Sequence, residues 1–424
     1  MNNNLKPSVL GKKRSFGFGD RLGLATPGHM DAIAGTPYLG IFAQQSIREL
    51  NRTNRHPADV MNAAINAVER TNWNQPWGAD ADHLQTRDDV FRMAEAGYTF
   101  FTIDPSDYVN NSVDLMSMDV LLDTYQQLVD NKKLAESDLL DRYIEKTIEI
   151  ADDYKLVFDD KSDLLKAIIK YGVALNHSRS MNVWIQEACN NRPFEVEISV
   201  DETETPTTPL EHLFIGMELK RMEVGIVSLA PRFIGDFEKG IDYKGDIQEF
   251  EKQYSQHVAI AKFCGPYKLS IHSGSDKFSI YPIMGRLSGE LLHVKTAGTS
   301  YLEALRVICR TDKSLFREIV EYCRGRFETD KQSYHVSAAL NQVPERIEDK
   351  QLEDWYLTNE DGRQILHVTF GSVLVGGRAF SGAPFKELII ENLIKNDQLY
   401  REVLHKHLGK HIRLLLSETE TLTY

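Results

Sequence analysis

The stretch KLSIHSGSDKFSIYP (268–282) joins a short strand pattern to a dense run of polar residues. A turn needs little more than a glycine and one aspartate or asparagine. This stretch instead places a histidine, two serines, an aspartate and a lysine directly after the strand. The surplus of donors, acceptors and charges indicates more than a connection, and it directs attention to whether other strands end in the same way.

Seven further stretches repeat this arrangement of an apolar strand pattern that ends in polar residues. They lie at 22–29, 38–46, 77–83, 98–107, 194–202, 224–233 and 291–300. Helical patterns lie between most of them, for example over 59–70 and 210–222. Alternating strands and helices indicate a parallel sheet, and eight repeats predict an α/β fold of the (β/α)8 TIM-like barrel type.

Two regions depart from this alternation and define the predicted domain organisation. Residues 108–190 are helical in period and carry no strand pattern, so we predict a helical insertion after strand four. The segment 313–424 is predicted as a mostly helical C-terminal extension, with one late strand at ILHVTFG (365–371). The two halves of the barrel are then residues 1–107 and 191–312.

Composition limits the partners of the chain. Its charged fraction of 26% is ordinary for a soluble globular protein. A net charge of −13 argues against a nucleic-acid partner, although local Lys and Arg residues can still bind a small anion. The N-terminal residues lack a signal peptide's apolar core and no run is long enough to cross a membrane, so we expect a cytoplasmic protein without a membrane partner. The four cysteines show no metal or redox spacing and are predicted to be buried free thiols.

The predicted strands carry an unusually polar inward face. Alternate side chains of a barrel strand point to the helices and to the interior, and the helix-facing set should be apolar. This rule assigns to the interior Asp80, Asp82, Phe100, Thr102, Asp104, Glu195, Glu197, Ser199, Asp201, Lys268, Ser270, His272, His293 and Lys295. A structural barrel core would hold Val, Ile and Leu, whereas barrel enzymes place catalysis at the carboxyl ends of their strands. We therefore interpret this end of the barrel as an active site.

Histidines and carboxylates supplied together favour a divalent cation with nitrogen and oxygen ligands, because such charges are costly to bury alone. We interpret His83, His272 and His293 as metal ligands. The predicted acid–base groups are Asp82, Glu197 and Asp201. Any one of these residues taken singly is more often part of a satisfied polar network, and the identity of the metal (Zn, Mn, Ni, Co or Fe) stays open.

The remaining histidines are weaker candidates. His335 and His367 could simply lie on the side of a late strand. His405, His407 and His411 resemble a metal cluster, but their helical spacing favours a solvated helix face.

Basic and hydroxyl residues near the strand ends are candidates for holding an anion. They are Arg232, Lys277, Lys295, Ser273 and Ser275. Together they could bind a carboxylate or phosphate through side chains and backbone N–H groups. The alternative is that the basic residues only neutralise neighbouring acids.

Seven blocks of the sequence resemble the signature blocks of the tagaturonate/fructuronate epimerase family. They are FGFGDRLGLATPGH (16–29), GADADH (78–83), FTIDPSDYV (101–109), VDETETPT (200–207), SLAPRF (228–233), HSGSDKFSIYP (272–282) and HVKTAGTSYLEALR (293–306). The resemblance extends from residue 16 to beyond residue 370. It implies an isomerase that interconverts D-tagaturonate and D-fructuronate in hexuronate catabolism, with a divalent metal cofactor and a keto-uronate as the small-molecule partner.

Two chemical routes fit such a reaction. The carbon to be inverted bears a hydroxyl and lies β to the ketone, so its C–H bond is not directly acidified. One route is a metal-assisted retro-aldol cleavage, rotation of the aldehyde and re-addition, and the other uses acid–base groups on opposite faces of the carbon. Both require a Lewis acid and paired general acid–base groups.

Other functions remain open at this point. A metal-dependent aldolase or ketose isomerase acting on a sugar acid would use nearly the same residues. A sugar-acid sensor without catalysis is a further alternative, although sensing needs only a few polar contacts in a mostly apolar pocket. The products formed from D-tagaturonate would separate these functions. The oligomeric state is also open, with a homo-oligomer as one alternative.

Overall fold

Eight parallel strands close into a barrel in the computed structural model, which describes residues 5–418. The strands are β1 (Ser15–Phe18), β2 (Leu39–Ser46), β3 (Gly78–Leu84), β4 (Phe100–Ile103), β7 (Glu195–Val200), β8 (Ser228–Pro231), β9 (Lys268–Ile271) and β10 (Leu292–Thr296). They follow one another around the barrel in this order, and β10 pairs with β1 to close it. The predicted (β/α)8 fold is confirmed.

Sixteen helices are present among the described residues, and most of them surround the barrel. They are α1 (Thr26–Ile33), α2 (Ile47–Thr53), α3 (Pro57–Thr71), α4 (Arg87–Glu95), α5 (Met118–Asp130), α6 (Leu139–Tyr143), α7 (Lys161–Cys189), α8 (Pro209–Arg221), α9 (Ile247–Cys264), α10 (Tyr281–Ser288), α11 (Thr299–Thr311), α12 (Lys313–Asp330), α13 (Glu360–Val368), α14 (Phe370–Val375), α15 (Phe385–Lys395) and α16 (Asp397–Leu416). A π-helical turn spans Asp354–Thr358. No helix within residues 5–418 is long and apolar enough to span a membrane.

The first strand differs from the prediction. Residues 22–29 do not form a strand, because Pro27 stands in the first turn of α1 and Asp20 accepts backbone N–H groups from the residues that lead into it. The barrel instead begins with the glycine-containing β1, which a propensity rule disfavours. Gly17 is required there because a Cβ atom at this position would overlap the side chain of Gln44 from β2.

Two other local predictions were wrong. The insertion is helical through α5, α6 and α7, but it also contains an antiparallel hairpin of β5 (Thr147–Ala151) and β6 (Tyr154–Val157). The late strand predicted at 365–371 is helical, since α13 and α14 occupy these residues. Its apolar residues are buried in succession, and a short apolar run does not distinguish a strand from a buried helix.

The inward and outward faces of the strands follow the predicted alternation. Val196 and Ile198 of β7 are buried in the hydrophobic core beneath the helices. The polar set meets across the barrel, where Lys268 Nζ lies 3.0 Å from Ser15 Oγ and Lys295 Nζ lies 2.5 Å from Thr102 Oγ1. The four cysteines are buried free thiols, as predicted.

Candidate active site

A cavity of about 430 Å³ opens at the carboxyl ends of the strands. Its walls carry residues that follow β2, β3, β7, β8, β9 and β10. A volume of roughly 300–1,000 Å³ is usual for a small-molecule site. The position matches the face on which barrel enzymes assemble their active sites.

Irregular backbone at the end of β3 brings two consecutive side chains to this cavity. The pairing of β3 with β4 shifts register between Ala81 and Leu84, and His83 adopts a left-handed conformation with φ of 52°. In a regular strand Asp82 and His83 would point to opposite faces. The bulge re-aims His83, so that both residues line the cavity. Left-handed backbone at a non-glycine residue is costly and collects at functional sites.

His83, Asp201 and His272 form a compact group of metal-ligand type. One ligand atom from each residue lies within 4.8 Å of those of the other two. Nδ1 of His272 is 3.2 Å from Oδ1 of Asp201, and the two imidazole rings are 5.0 Å apart between centroids. Two imidazoles and one carboxylate are a donor set that suits a divalent transition metal.

A second carboxylate stands behind each of these histidines. Nε2 of His272 lies 2.8 Å from Oε1 of Glu197, and Nδ1 of His83 lies 3.4 Å from Oδ2 of Asp104. Ligating histidines in metal sites characteristically donate their other ring N–H to such a carboxylate, which fixes the ring and its tautomer. The residues present therefore fit a divalent cation.

The carboxylates around the two rings raise the pKa values of both imidazoles. Burial alone would lower both histidine pKa values, but the surrounding carboxylates outweigh it. Asp82, Asp104 and Asp201 raise the pKa of His83 to about 10. The pKa of His272 rises to about 9, chiefly because of Asp201. The group thus has an excess of negative charge that either protons or a cation can balance.

Lys295 lies at the floor of the cavity within a cluster of three carboxylates. Its Nζ atom is 2.7 Å from Asp80 Oδ2, 2.8 Å from Asp82 Oδ1 and 2.8 Å from Glu197 Oε1. Burial opposes the ammonium charge, yet these partners hold the pKa of Lys295 well above its ordinary value. Because one ammonium faces three carboxylates, burial and the neighbouring charges raise the pKa of Asp80 to about 7 despite Lys295. Lys295 is therefore a fixed cation whose partners are already supplied.

Seven of the residues predicted from the sequence line the cavity together. They are Asp82, His83, Asp201, Arg232, Ser273, His272 and Lys295. Glu197 is fully buried behind His272 and Lys295, in contact with both. Asp201, expected as an acid–base group, stands with the two histidines of the metal-ligand group.

Besides Glu197, three predicted residues lie outside the lining formed by the described residues. His293 is buried deeper in the barrel, where Nδ1 lies 3.0 Å from Ser15 Oγ and burial lowers the pKa of its imidazole to about 3. The ammonium of Lys277 donates to the backbone carbonyls of Glu238, Ile241 and Ser275, at 2.6 to 2.9 Å. His293 and Lys277 thus make contacts within the fold, and Ser275 does not line the cavity.

Two of the three histidines predicted to lie on a solvated face of the last helix, His407 and His411, are instead tied to the barrel, whereas His405 is exposed as predicted. His411 is completely buried, and its Nε2 accepts the backbone N–H of Asp276 at 3.0 Å. The carboxylate of Asp276 pairs with Arg363 at 2.8 Å and with His407 at 2.7 Å. The solvated-face prediction was wrong for His407 and His411 because α16 packs against α1, α10 and α11. With its donors and acceptors already matched, this cluster is a structural tie between α16 and the loop after β9.

The cavity residues outside the predicted site include three charged ones. Lys239 follows β8, Arg21 follows β1, and Glu49 pairs with Arg21 at 2.8 Å. Lys239 could have been found from the rule that loops at the carboxyl ends of barrel strands carry function. Arg21 could not, because the first strand was assigned to the wrong residues.

Comparison with known proteins gives a consistent set of relatives. A family model described as tagaturonate epimerase matches residues 1–415. The tagaturonate/fructuronate epimerase of Thermotoga maritima is 42% identical over 418 residues, which is 97% of this chain and 82% of that protein.

Solved structures of one enzyme share the fold over nearly the whole chain. The glycerol-complexed crystal structure of the fructuronate-tagaturonate epimerase from Cohnella laeviribosi matches with a TM-score of 0.92 and 37% identity, over 98% of this chain and 84% of that one. The native structure of the same enzyme matches with a TM-score of 0.90 and 36% identity, over 97% and 83% of the two chains.

Proposed function

The chain belongs to the tagaturonate epimerase family, and from this premise we propose that its cavity interconverts D-tagaturonate and D-fructuronate with the help of a divalent cation held by His83, Asp201 and His272. It is an isomerase of the epimerase type. The observation that carries the proposal is the juxtaposition of this metal-ligand group with the Asp82–Lys295 pair at the floor of the cavity.

The cation would be held by imidazole nitrogens of His83 and His272 and by the carboxylate of Asp201. When bound, it supplies a Lewis acid for the ketone oxygen of the substrate. Glu197 and Asp104 orient the two imidazoles from behind. The excess of carboxylates around the histidines favours a cation in this place over a neutral ligand.

Asp82 is the proton-transfer group of the proposed reaction, and Lys295 is the fixed cation beside it. Burial opposes the carboxylate charge of Asp82, but Lys295, His83 and His272 outweigh it and keep its pKa below the ordinary value. Asp82 is therefore ionised at neutral pH and can accept the proton of a substrate hydroxyl. Lys295, whose ammonium lies 2.8 Å from this carboxylate, stays protonated and stabilises the alkoxide, while Asp82 returns the proton to the same oxygen.

This placement favours the retro-aldol route. An epimerisation by direct proton transfer needs a base and an acid on opposite faces of the inverted carbon, whereas Asp82 and Lys295 stand side by side. In the retro-aldol route Asp82 takes the proton from the hydroxyl on that carbon while the adjacent carbon–carbon bond breaks to give an aldehyde and an enolate. Rotation of the aldehyde and re-addition form the bond on the other face, and the new alkoxide regains its proton.

An aldolase that releases both fragments is the second candidate, because its chemistry is the first half of this route. The experiment is to incubate purified protein and a divalent metal with D-tagaturonate and to identify the products by chromatography and NMR. D-Fructuronate as the product supports the proposal. Accumulated three-carbon fragments favour an aldolase, an aldose uronate favours an isomerase, and binding without turnover in metal-loaded protein favours a sensor. We also place the activity in the cytoplasm, since four buried free thiols suit a reducing compartment.

A further inference from the structure

One wall of the cavity carries two positive groups, Lys239 and Arg21, that keep N–H donors beyond those used by their partners among residues 5–418. Lys239, in the loop after β8, donates from Nζ to Ser273 Oγ at 2.6 Å. Within residues 5–418 no carboxylate lies within ion-pairing distance of this ammonium. Burial lowers the pKa of Lys239, and Arg48 works in the same direction. A half-buried ammonium with a single hydroxyl partner still has donors available for an anion.

Arg21 contributes an unused donor to the same wall. Its Nε and Nη2 atoms both donate to Glu49 Oε1, at 3.0 and 2.8 Å, and its guanidinium lies 3.5 Å from the ring centroid of Phe370. The side chain is only 3% exposed, and among residues 5–418 the buried Nη1 atom has no hydrogen-bond partner. A buried N–H group without a partner costs free energy and calls for an explanation. An anionic ligand in the cavity provides one.

His367 of α13 completes the group. The His367 side chain lines the cavity. Within residues 5–418 its buried Nδ1 atom has no hydrogen-bond partner. Gly298 leaves room for the ring, since a Cβ atom there would overlap His367 Nε2. Burial lowers the pKa of His367 well below its ordinary value, and the charges of Arg21 and Lys239 add to this effect. The charges of Arg21 and Lys239 thus both influence the His367 ring, and all three side chains line the same cavity.

We propose that Lys239, Arg21 and His367 form the subsite that receives the carboxylate of the keto-uronate. The inference rests on the proposed function and deepens it by assigning the acidic end of the substrate. Ser273, the partner of Lys239, directly follows the metal-ligand residue His272. The ketone and the carboxylate stand at opposite ends of the substrate, so a molecule whose ketone is near the cation can place its carboxylate on this wall.

The other basic residues of the cavity are less suited to this role. Lys295 already faces three carboxylates. Arg232 donates to the backbone carbonyl of Thr203. Arg48 is 45% exposed and lies 3.6 Å from Glu202, so water screens its charge. Lys239 is therefore the cation through which the subsite is best tested.

The experiment compares the binding of a uronate with that of its neutral counterpart. Metal-loaded wild type, Lys239→Met and Lys239→Arg are titrated calorimetrically with D-tagaturonate and with D-tagatose, which lacks the carboxylate. Lys252→Met is the matched control, because Lys252 is 69% exposed and does not line the cavity. Retained secondary structure and melting temperature are checked for each variant, and Lys239→Gln replaces Lys239→Met if the latter does not fold.

The expected result is a ratio of affinities, uronate over ketose, that falls at least about tenfold in Lys239→Met, the scale of one charge-assisted hydrogen bond. Lys239→Arg should recover most of the ratio and Lys252→Met should keep it. An unchanged ratio in Lys239→Met, or an equal loss for both ligands, overturns the subsite, because Lys239 then only supports the loop of Ser273.

The failure of the subsite and the failure of the proposed reaction give different results. If the wild type epimerises D-tagaturonate and Lys239→Met keeps the wild-type affinity ratio, the proposed reaction is supported and the subsite is contradicted. Wild type that binds the uronate selectively through Lys239 but does not epimerise it retains the subsite and loses the reaction. Because the titration measures binding, it decides the subsite in either case.

Discussion

Nε2 of His272 lies 2.8 Å from Oε1 of Glu197, while the other nitrogen of the same ring faces Asp201. In the proposed metal site Glu197 therefore orients the ring of His272, and Glu197→Gln should weaken cation binding by about 10–100-fold. Direct titration of metal-free protein with Zn²⁺ or Mn²⁺ measures this.

Asp104 offers a matched comparison for that variant. It stands behind His83 as Glu197 stands behind His272, but it does not contact Lys295. Asp104→Asn should thus lower cation affinity on a similar scale with a smaller effect on stability. Wild-type affinity in both variants would remove the orienting role of the two carboxylates.

Metal dependence is the second prediction. Chelation should abolish turnover, and a divalent transition metal should restore it, because in the proposed reaction the cation is the Lewis acid for the ketone oxygen. His83→Ala should reduce the metal content measured by plasma mass spectrometry, and its activity should partly recover at high metal concentration. Undiminished turnover in verified metal-free protein contradicts the prediction, as does full metal occupancy in His83→Ala.

Asp82→Asn tests the general base. The amide keeps the shape of the side chain but cannot accept a proton, so turnover should fall by roughly 10²–10⁴. The metal content should stay normal, since His83, Asp201 and His272 are intact. Measurement of turnover, metal content and melting temperature on one preparation separates this from a structural effect, in which stability falls but the folded protein keeps its turnover per metal.

Lys277→Met separates a structural lysine from a binding one. Its ammonium holds three backbone carbonyls in a fully buried position, and burial lowers its pKa to about 7. Removal leaves those carbonyls without a partner, at about 1–3 kcal/mol each before relaxation. We expect a lower melting temperature and an unchanged KM for D-tagaturonate. A KM that rises tenfold with unchanged stability would instead assign Lys277 to the anion site.

Buried neutral histidines predict a loss of stability in mild acid. Burial lowers the pKa of His29, His257 and His411 to about 4, from 6.5, and that of His293 to about 3. Between these values the unfolded chain binds more protons than the folded one, so the free energy of unfolding decreases as pH falls from 6.5 towards 4. One such group contributes roughly 2 kcal/mol of loss at pH 5.

Urea unfolding at pH 7 and pH 5 measures this effect. His293→Gln should show a shallower pH dependence than wild type, because it removes one of the protonation sites. His335→Gln is the control, since His335 is 77% exposed. Equal pH dependence in wild type and His293→Gln would mean that His293 is not held neutral by the fold.

The barrel was predictable because apolar residues that face the helices alternate along its strands with polar residues that face inward. Val196 and Ile198 face the helices, and the polar residues between them face inward, so the sequence alone brought Asp82, His272 and Lys295 to one place. The first strand was not predictable, because Gly17 weakens the strand pattern for a reason that lies in Gln44 of the next strand.

The division of roles within the site also depends on contacts that a sequence does not contain. Asp201 and His293 are equally plausible ligands by residue type, and only their depth in the barrel separates them. Lys277 follows the polar run after β9 as a binding lysine would, yet its ammonium turns to backbone carbonyls. The same limit explains His411, whose partner Asp276 is distant in sequence.

The tie between Asp276 and α16 has a consequence for the order of events during biosynthesis. All eight barrel strands have been translated once β10 is made, but Arg363, His407 and His411 emerge from the ribosome only later. Until then the loop after β9 carries a carboxylate without Arg363, His407 and His411, beside the residues proposed to hold the cation. Domains tend to fold as they are synthesised. In this chain the loop after β9 gains its contacts with Arg363, His407 and His411 only after α16 has been synthesised.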